Sequence, residues 1–214
     1  MSYLGHEHGD GARDAEETAL AGGIVGAAHD GLPESSAEAA GRTERDILMR
    51  RPDLEDIPEL EPLPPDFALR RARPDEVSAL ATLLTRAFAV PWDDDLVRRR
   101  LSEAPDVEAI YVVAHAGVPV ATASARLAPE EHPGSGYLHW VGADPDYQGK
   151  GLGRLVVVRV LMHFREAGLR DAVLETQVHN FAALRTYLRL GFVPEYREAD
   201  DRRRWSRVLP RLLR

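Results

Sequence analysis

The sequence predicts an α/β domain on a mixed sheet. Three observations predict it: apolar runs of strand length alternate with helix-periodic stretches, glycines stand just past the helical stretches, and the order reads β-α-α-β-β-β-α-β-α-β-β.

Each element follows from its residues. "FALRRA" from Phe67 is a short strand. "PDEVSALATLLTRAF" places Pro74 at a helix start and Val77, Leu80, Leu83, Leu84 and Phe88 at helical spacing. "DDDLVRRRLSEA" is a shorter helix opened by aspartates, which suit a helix N-terminus. "AIYVVAHAGVPVATASARLAP" forms a hairpin about Gly117, and "SGYLHWVGA" is a strand ended by Asp144-Pro145. Leu152 to Ala167 is a helix closed by Gly168, its polar positions Arg154, Arg159, His163 and Glu166 outweighing a valine run that favours strand. "DAVLETQV" is a strand and "NFAALRTYLRL" a helix stopped by Gly191. "FVPEY" and "RRWSRVL" close the chain as strands.

Ahead of this domain, residues 1–46 are rich in Ala, Gly and Glu, with too little apolar bulk to offset their ordering entropy, and read as a disordered acidic leader. Residues 47–65 hold five prolines and read as an extended linker that lies against the domain through Leu54, Ile57 and Leu60. The domain itself spans 66–214.

Composition removes several function classes. The chain has no cysteine, so disulfides, thiolate metal sites and a cysteine nucleophile are excluded. No apolar run reaches the length of a membrane span, and the flank of the weakly apolar patch near Ile24 is acidic where a secretory signal is basic; the expected location is the cytoplasm. Residues 1–65 carry 15 acidic and 5 basic side chains, whereas 66–214 carry 20 and 22. A near-neutral domain lacks the concentrated basic face that nucleic-acid binding requires. The arginines of "DDRRRWSRVLPRLLR" read as a solvated strand and tail. His6 and His8 are incidental rather than a metal site.

The stretch "DPDYQGKGLGRLVVV" carries the chemistry. Its consecutive backbone N–H groups and the helix start that follows make a concave anion site, and Gly149, Gly151 and Gly153 allow close backbone approach. Lys150, the only lysine of the chain, is followed by Gly151 where a Walker loop needs Ser or Thr. The spacing G-x-G-x-G also departs from the G-x-G-x-x-G of dinucleotide-binding loops.

Here the chain resembles the GNAT superfamily of acyl-CoA N-acyltransferases. Gln148, Gly151 and Gly153 fit its Q/R-x-x-G-x-G/A motif between a strand and a helix. Downstream, "LETQVHNFAALRTYLRLGFVPEY" is similar to its strand-helix-strand ending, at Asn180, Ala183, Tyr187, Gly191 and Phe192. The resemblance spans Asp66 to Leu209. It implies a largely antiparallel mixed sheet of about six to seven strands with about four helices and a splayed central strand pair. It further implies acetyl-CoA as cosubstrate, with no metal. The amides of Gln148, Gly149, Lys150, Gly151, Leu152 and Gly153 hold the diphosphate, the backbone of Val141 and Ala143 pairs with the pantetheine arm, and Asn180 contacts that arm as well as capping its helix.

The same resemblance makes Tyr187 the acid that protonates the departing thiolate and Glu175, twelve residues upstream, the base that deprotonates the amine. His139 is the rival base, because histidine titrates near neutrality without a large shift. The implied reaction is direct acetyl transfer to a primary amine, on a protein N-terminus or a small molecule, by a monomer or homodimer. The stretch from Gly136 to Gly153 also resembles a mycothiol synthase-like group whose members usually carry two such domains, where this chain has room for one. The alternative is a catalytically silent acyl-CoA-binding regulatory or interaction module.

Overall fold

The structure, a computed structural model, describes residues 46–212, so the expected leader lies outside the described residues but for Asp46, and His6 and His8 lie outside them too. Seven strands form one sheet: β1 Ile47–Arg51, β2 Phe67–Arg71, β3 Val107–His115, β4 Val118–Leu127, β5 Ser135–Ala143, β6 Asp171–Thr176 and β7 Val193–Pro194. Their spatial order is β2-β3-β4-β5-β6-β1-β7. All neighbours are antiparallel except β5 and β6, which are joined through a helix and run parallel. Five helices flank the sheet: α1 Val77–Phe88, α2 Asp94–Val97 continued by a π-helical turn Arg98–Ser102, α3 Leu152–Glu166, α4 Phe181–Arg189 and α5 Ala199–Leu212.

Strand alternation sorts the side chains into two layers. Ala109, Tyr111 and Val113 of β3 join Leu138 and Val141 of β5, Leu174 of β6 and the buried faces of α3, α4 and α5 in the main core. Val112 and Trp140 face the other way, onto Leu80, Leu84, Val97 and Leu101 of α1, α2 and the turn after α2. The period of two in the strands and 3.6 in the helices delivers this division. The anticipated stop signals operate: Gly168 and Gly191 take φ of 74° and 84°, in the left-handed region that glycine tolerates. Ala116 and Gly117, with φ of 47° and 87°, make the tight turn of the β3–β4 hairpin.

Two expectations are corrected. Residues 47–51 are not linker but β1, an interior strand between β6 and β7, so the folded unit begins ahead of Asp66. Two adjacent arginines hide a strand in sequence, and both find partners here. Arg50 bonds Glu195, Asp171 at 2.6 Å and Ser135 Oγ at 3.1 Å, and Arg51 reaches inward to donate to the Leu190 carbonyl at the end of α4. The remainder, 52–65, is the expected strap: Leu54 is buried, Ile57, Leu60 and Leu63 pack on the main core, and Glu61 pairs with Arg154 at 2.9 Å.

The second correction is "RRWSRVL", which is helix rather than strand and lies within α5. Trp205, Val208 and Leu212 are buried at helical spacing while Arg203, Arg207 and Arg211 stay outside, and Asp200 and Asp201 occupy the first turn. The expected strand at "FVPEY" shortens to the two residues of β7, a proline-bearing edge that resists pairing with another chain.

Two tests follow from this architecture. Met49 is fully buried in β1, so Met49→Ala is expected to cost about 2–5 kcal/mol in urea unfolding. A linker residue there would move stability by less than about 0.5 kcal/mol. The second concerns His132, 4% exposed in the β4–β5 loop, whose Nδ1 accepts from Arg197 at 2.8 Å. Burial, then the charges of Arg197 and Arg50, hold its pKa down at about 4. The unfolded ring takes up a proton near pH 6.5 and the folded one does not. Its contribution is therefore intact above pH 6.5 and is lost as the pH falls toward 4, by up to about 3 kcal/mol. His132→Asn should flatten the stability profile across that window.

Candidate active site

The site grows from the end of β5. The Asp144 carboxylate accepts from the Asp146 N–H at 2.9 Å, capping the short 3-10 turn Pro145–Tyr147, and the Gln148 N–H donates to the Pro145 carbonyl at 3.2 Å. Gly149 and Gly151 then take φ of 75° and 72°. A Cβ built at either would meet nothing within 4 Å, so both face open space. The helix α3 starts at Leu152 without a side-chain cap, and Leu155 N–H to Gly151 carbonyl, at 3.2 Å, opens its hydrogen-bond ladder. The N–H groups of Leu152, Gly153 and Arg154 thus have no acceptor inside the helix, and the partial positive charge of the helix start projects onto the open loop.

Lys150 is exposed and its Nζ lies 5.4 Å from the centre of the Tyr147 ring. The Tyr147 hydroxyl is hydrogen-bonded to His115 Nδ1 at 2.8 Å, and His115 stacks against Phe67. This aromatic shelf under the lysine joins residues far apart in sequence, and no periodicity announces it.

Beside the loop, β5 and β6 separate. They pair only at Ser135↔Asp171, Gly136↔Ala172 and Tyr137↔Val173. Beyond that point, among the described residues, the β6-facing backbone of β5 from Leu138 to Ala143, which includes Val141 and Ala143, has no strand partner. A bulge accompanies the parting: Ser124 faces His139 and Thr122 faces Gly142, so Ala123 stands opposite both Trp140 and Val141. Trp140 has φ of 47°, a strained value for a bulky residue. It turns onto the α1 side, where its ring lies 4.5 Å from that of Trp92 and 5.5 Å from that of Phe88. Gly142 fits because a Cβ there would come within 3.0 Å of Ala87.

The expected catalytic residues lie on opposite faces of the sheet. Tyr187 belongs to α4 and the main core, on the α3 side; its ring is 5.8 Å from Phe192 and fully buried. Its hydroxyl has no hydrogen-bond partner among the described residues, and burial pushes the phenol well above its ordinary pKa, so the proton stays on. Glu175 alternates with Leu174 of the main core, so it points to the opposite face, with Val173 and its cross-strand neighbour Leu48. His139 shares that face. Its ring stacks on Tyr137 at 5.4 Å and lies 4.8 Å from Trp140. Both base candidates therefore lie on the α1 face of the sheet and the acid candidate on the α3 face. Asn180 caps α4, its Oδ1 accepting from the Ala183 N–H at 3.2 Å.

The aromatic wall of Trp92, Trp140 and Phe88 escaped sequence reading, since Trp140 turns aside only through the bulge. Among the described residues no group of three or more His, Asp or Glu is placed to hold a metal ion, and no helix is long and apolar enough to cross a membrane.

Comparison with known proteins agrees with this geometry. The chain is 32% identical over 201 residues to a mycothiol acetyltransferase of Actinosynnema mirum, covering 81% of this chain and 65% of the relative. It is also 32% identical over 184 residues to a mycothiol acetyltransferase of Nocardia farcinica, covering 79% of this chain and 60% of that protein. It thus spans about three fifths of the length of these relatives. A crystal structure described as an acetyltransferase of the GNAT family from Novosphingobium aromaticivorans shares the fold, with a TM-score of 0.53 and 22% identity over 72% of this chain and 62% of the other. The pattern of the acetyltransferase (GNAT) family itself matches residues 77–192, and the chain belongs to that family.

Proposed function

We propose that the protein is an N-acetyltransferase that moves the acetyl group of acetyl-CoA to a primary amine by direct attack. The observation that carries this reading is the junction of an open, uncapped glycine loop with a strand edge that β6 leaves unpaired. A diphosphate suits the first, to be held by the amides of Gly149, Lys150, Gly151, Leu152 and Gly153 with the charge of Lys150 beside them, while the Gln148 N–H is already donated to the Pro145 carbonyl. An amide-bearing arm suits the second, hydrogen-bonding to the backbone of Val141 and Ala143 like an added strand. Asn180, at the start of α4, contacts the same arm.

With the thioester in the gap, the two faces divide the proton work. Glu175 takes the ammonium proton, directly or through water, and His139 is the rival for that role. The amine lone pair then forms the new C–N bond at the thioester carbonyl. Collapse of the tetrahedral intermediate breaks the C–S bond as Tyr187 gives its phenolic proton to the leaving sulfur; the excess proton on the new amide nitrogen then leaves through solvent and the phenolate regains a proton, so that amide and CoA thiol are the products. A buried hydroxyl without an acceptor costs about 1–3 kcal/mol, and a thiolate is an acceptor.

The acceptor side is walled by α1, Trp92 and Trp140. The shared name of the relatives makes small amines related to mycothiol the first acceptors to assay, ahead of protein N-termini. Release of free CoA from acetyl-CoA across a panel of both tests the reaction. Tight CoA binding with no release on any amine would instead favour a silent binding module.

Two variants test the assignments. Gly151→Asp places a side chain and a negative charge at a left-handed position facing the loop, and is expected to abolish the thermal protection that CoA gives the wild-type chain. Tyr187→Phe is expected to lower turnover by about a hundredfold or more while CoA still binds. Unaltered turnover in Tyr187→Phe would remove the tyrosine from the chemistry.

A further inference from the structure

We infer that Arg86 is a positioning residue that ties the acceptor-side wall to the diphosphate loop. This rests on the cofactor reading above. Arg86 lies in the last turn of α1. Its Nε donates to Asp144 Oδ2 at 2.8 Å, and its Nη2 to Asp144 Oδ1 at 2.9 Å and to Asp146 Oδ2 at 2.7 Å. The fork geometry fixes the plane of the Asp144 carboxylate, which a single-point lysine contact does not.

Asp144 governs the approach to the loop. Its backbone N–H donates to the Val120 carbonyl at 2.9 Å, its own carbonyl accepts from the Tyr147 N–H at 2.9 Å, and its side chain caps the turn. Rotation of that carboxylate would move the Pro145–Tyr147 turn, and with it Gln148, Gly149 and the Tyr147 ring beneath Lys150. Burial works to raise the Asp144 pKa, and the bonds from Arg86 and the Asp146 N–H outweigh it, so the carboxylate stays charged.

At its other end the connection reaches the acceptor side. Helix α1 buries Leu80 and Leu84 beside Trp140, and Phe88 meets the Trp140 ring edge-on. Arg86 also stands on the rim of a groove of about 570 Å³ that includes Ser78, Thr85, Trp92 and Asp93. One guanidinium thus joins the helix that packs on Trp140 to the turn that leads into the loop.

The exposure of Arg86 separates this role from a merely structural one. Arg86 is 43% exposed, and an exposed ion pair adds little to folding stability. A structural role predicts a nearly silent substitution. A positioning role predicts a selective loss of cofactor affinity.

The test is calorimetric titration of the full chain with CoA, alongside thermal melting. In Arg86→Ala the CoA Kd should rise about tenfold while the melting temperature stays within about 2 °C of wild type. Arg86→Lys should recover part of that loss, and Arg86→Ala combined with Asp144→Asn should weaken binding by less than the product of the single effects. An unchanged Kd in Arg86→Ala overturns the inference, as does a loss of affinity that tracks a loss of melting temperature. No CoA binding by the wild-type chain would overturn the cofactor reading itself, and the inference with it.

Discussion

Everything in this molecule is arranged around the parting of β5 from β6. Two parallel strands that pair at three positions would gain further hydrogen bonds by zipping up, so something must hold them apart. Each strand already has its outer partner, β4 for β5 and β1 for β6, and the bulge at Trp140 and Val141 bends β5 where pairing would continue. The strained φ of Trp140 is offset by burial of its indole against Trp92 and Phe88. The unpaired backbone is a demand as well as an opening, since polar groups in a narrow gap need a partner from solvent or from a ligand.

The closed end of the same strand pair is held by charge. Arg50 of β1 binds Asp171 at the start of β6, Ser135 at the start of β5 and Glu195 just past β7, so one guanidinium gathers four segments of chain. Glu195 passes the network to Arg197, which holds the neutral ring of His132. Removing one member of such a partly buried set leaves the others without counter-charge, which costs more than the pair itself contributes. Arg51 works on the other face, where its positive charge at the carbonyl end of α4 suits the helix dipole and fixes the helix that carries Tyr187.

Much of this was legible in the sequence. The spacing of Leu80, Leu83 and Leu84 gave α1, Gly168 and Gly191 gave the helix ends, Asn180 gave a cap, and the glycine loop stood out beside its following helix. What stayed hidden depends on contacts distant in sequence. Arg50 and Arg51 disguise β1 because their partners, Asp171, Glu195 and the Leu190 carbonyl, lie more than a hundred residues away. Alternation in "RRWSRVL" suits a strand locally, and only the fit of Trp205 and Val208 into the core selects helix. The face of Glu175 and His139 could not be chosen until the two layers of helices fixed which side of each strand was which.

The placement of β1 has a consequence for how the chain comes into being. Among the described residues it is the first strand made, yet it lies between the last two, and Arg50 meets Glu195 across 145 residues. Such pairing raises the contact order, and the loop-closure entropy must be met before those contacts reward it. During synthesis the free edge of β6 has no partner from its own C-terminal neighbour, and β1 must wait on the ribosome surface for residues more than a hundred positions behind it. An early strand with a late berth therefore stays unpaired until nearly the whole of the sheet has been made.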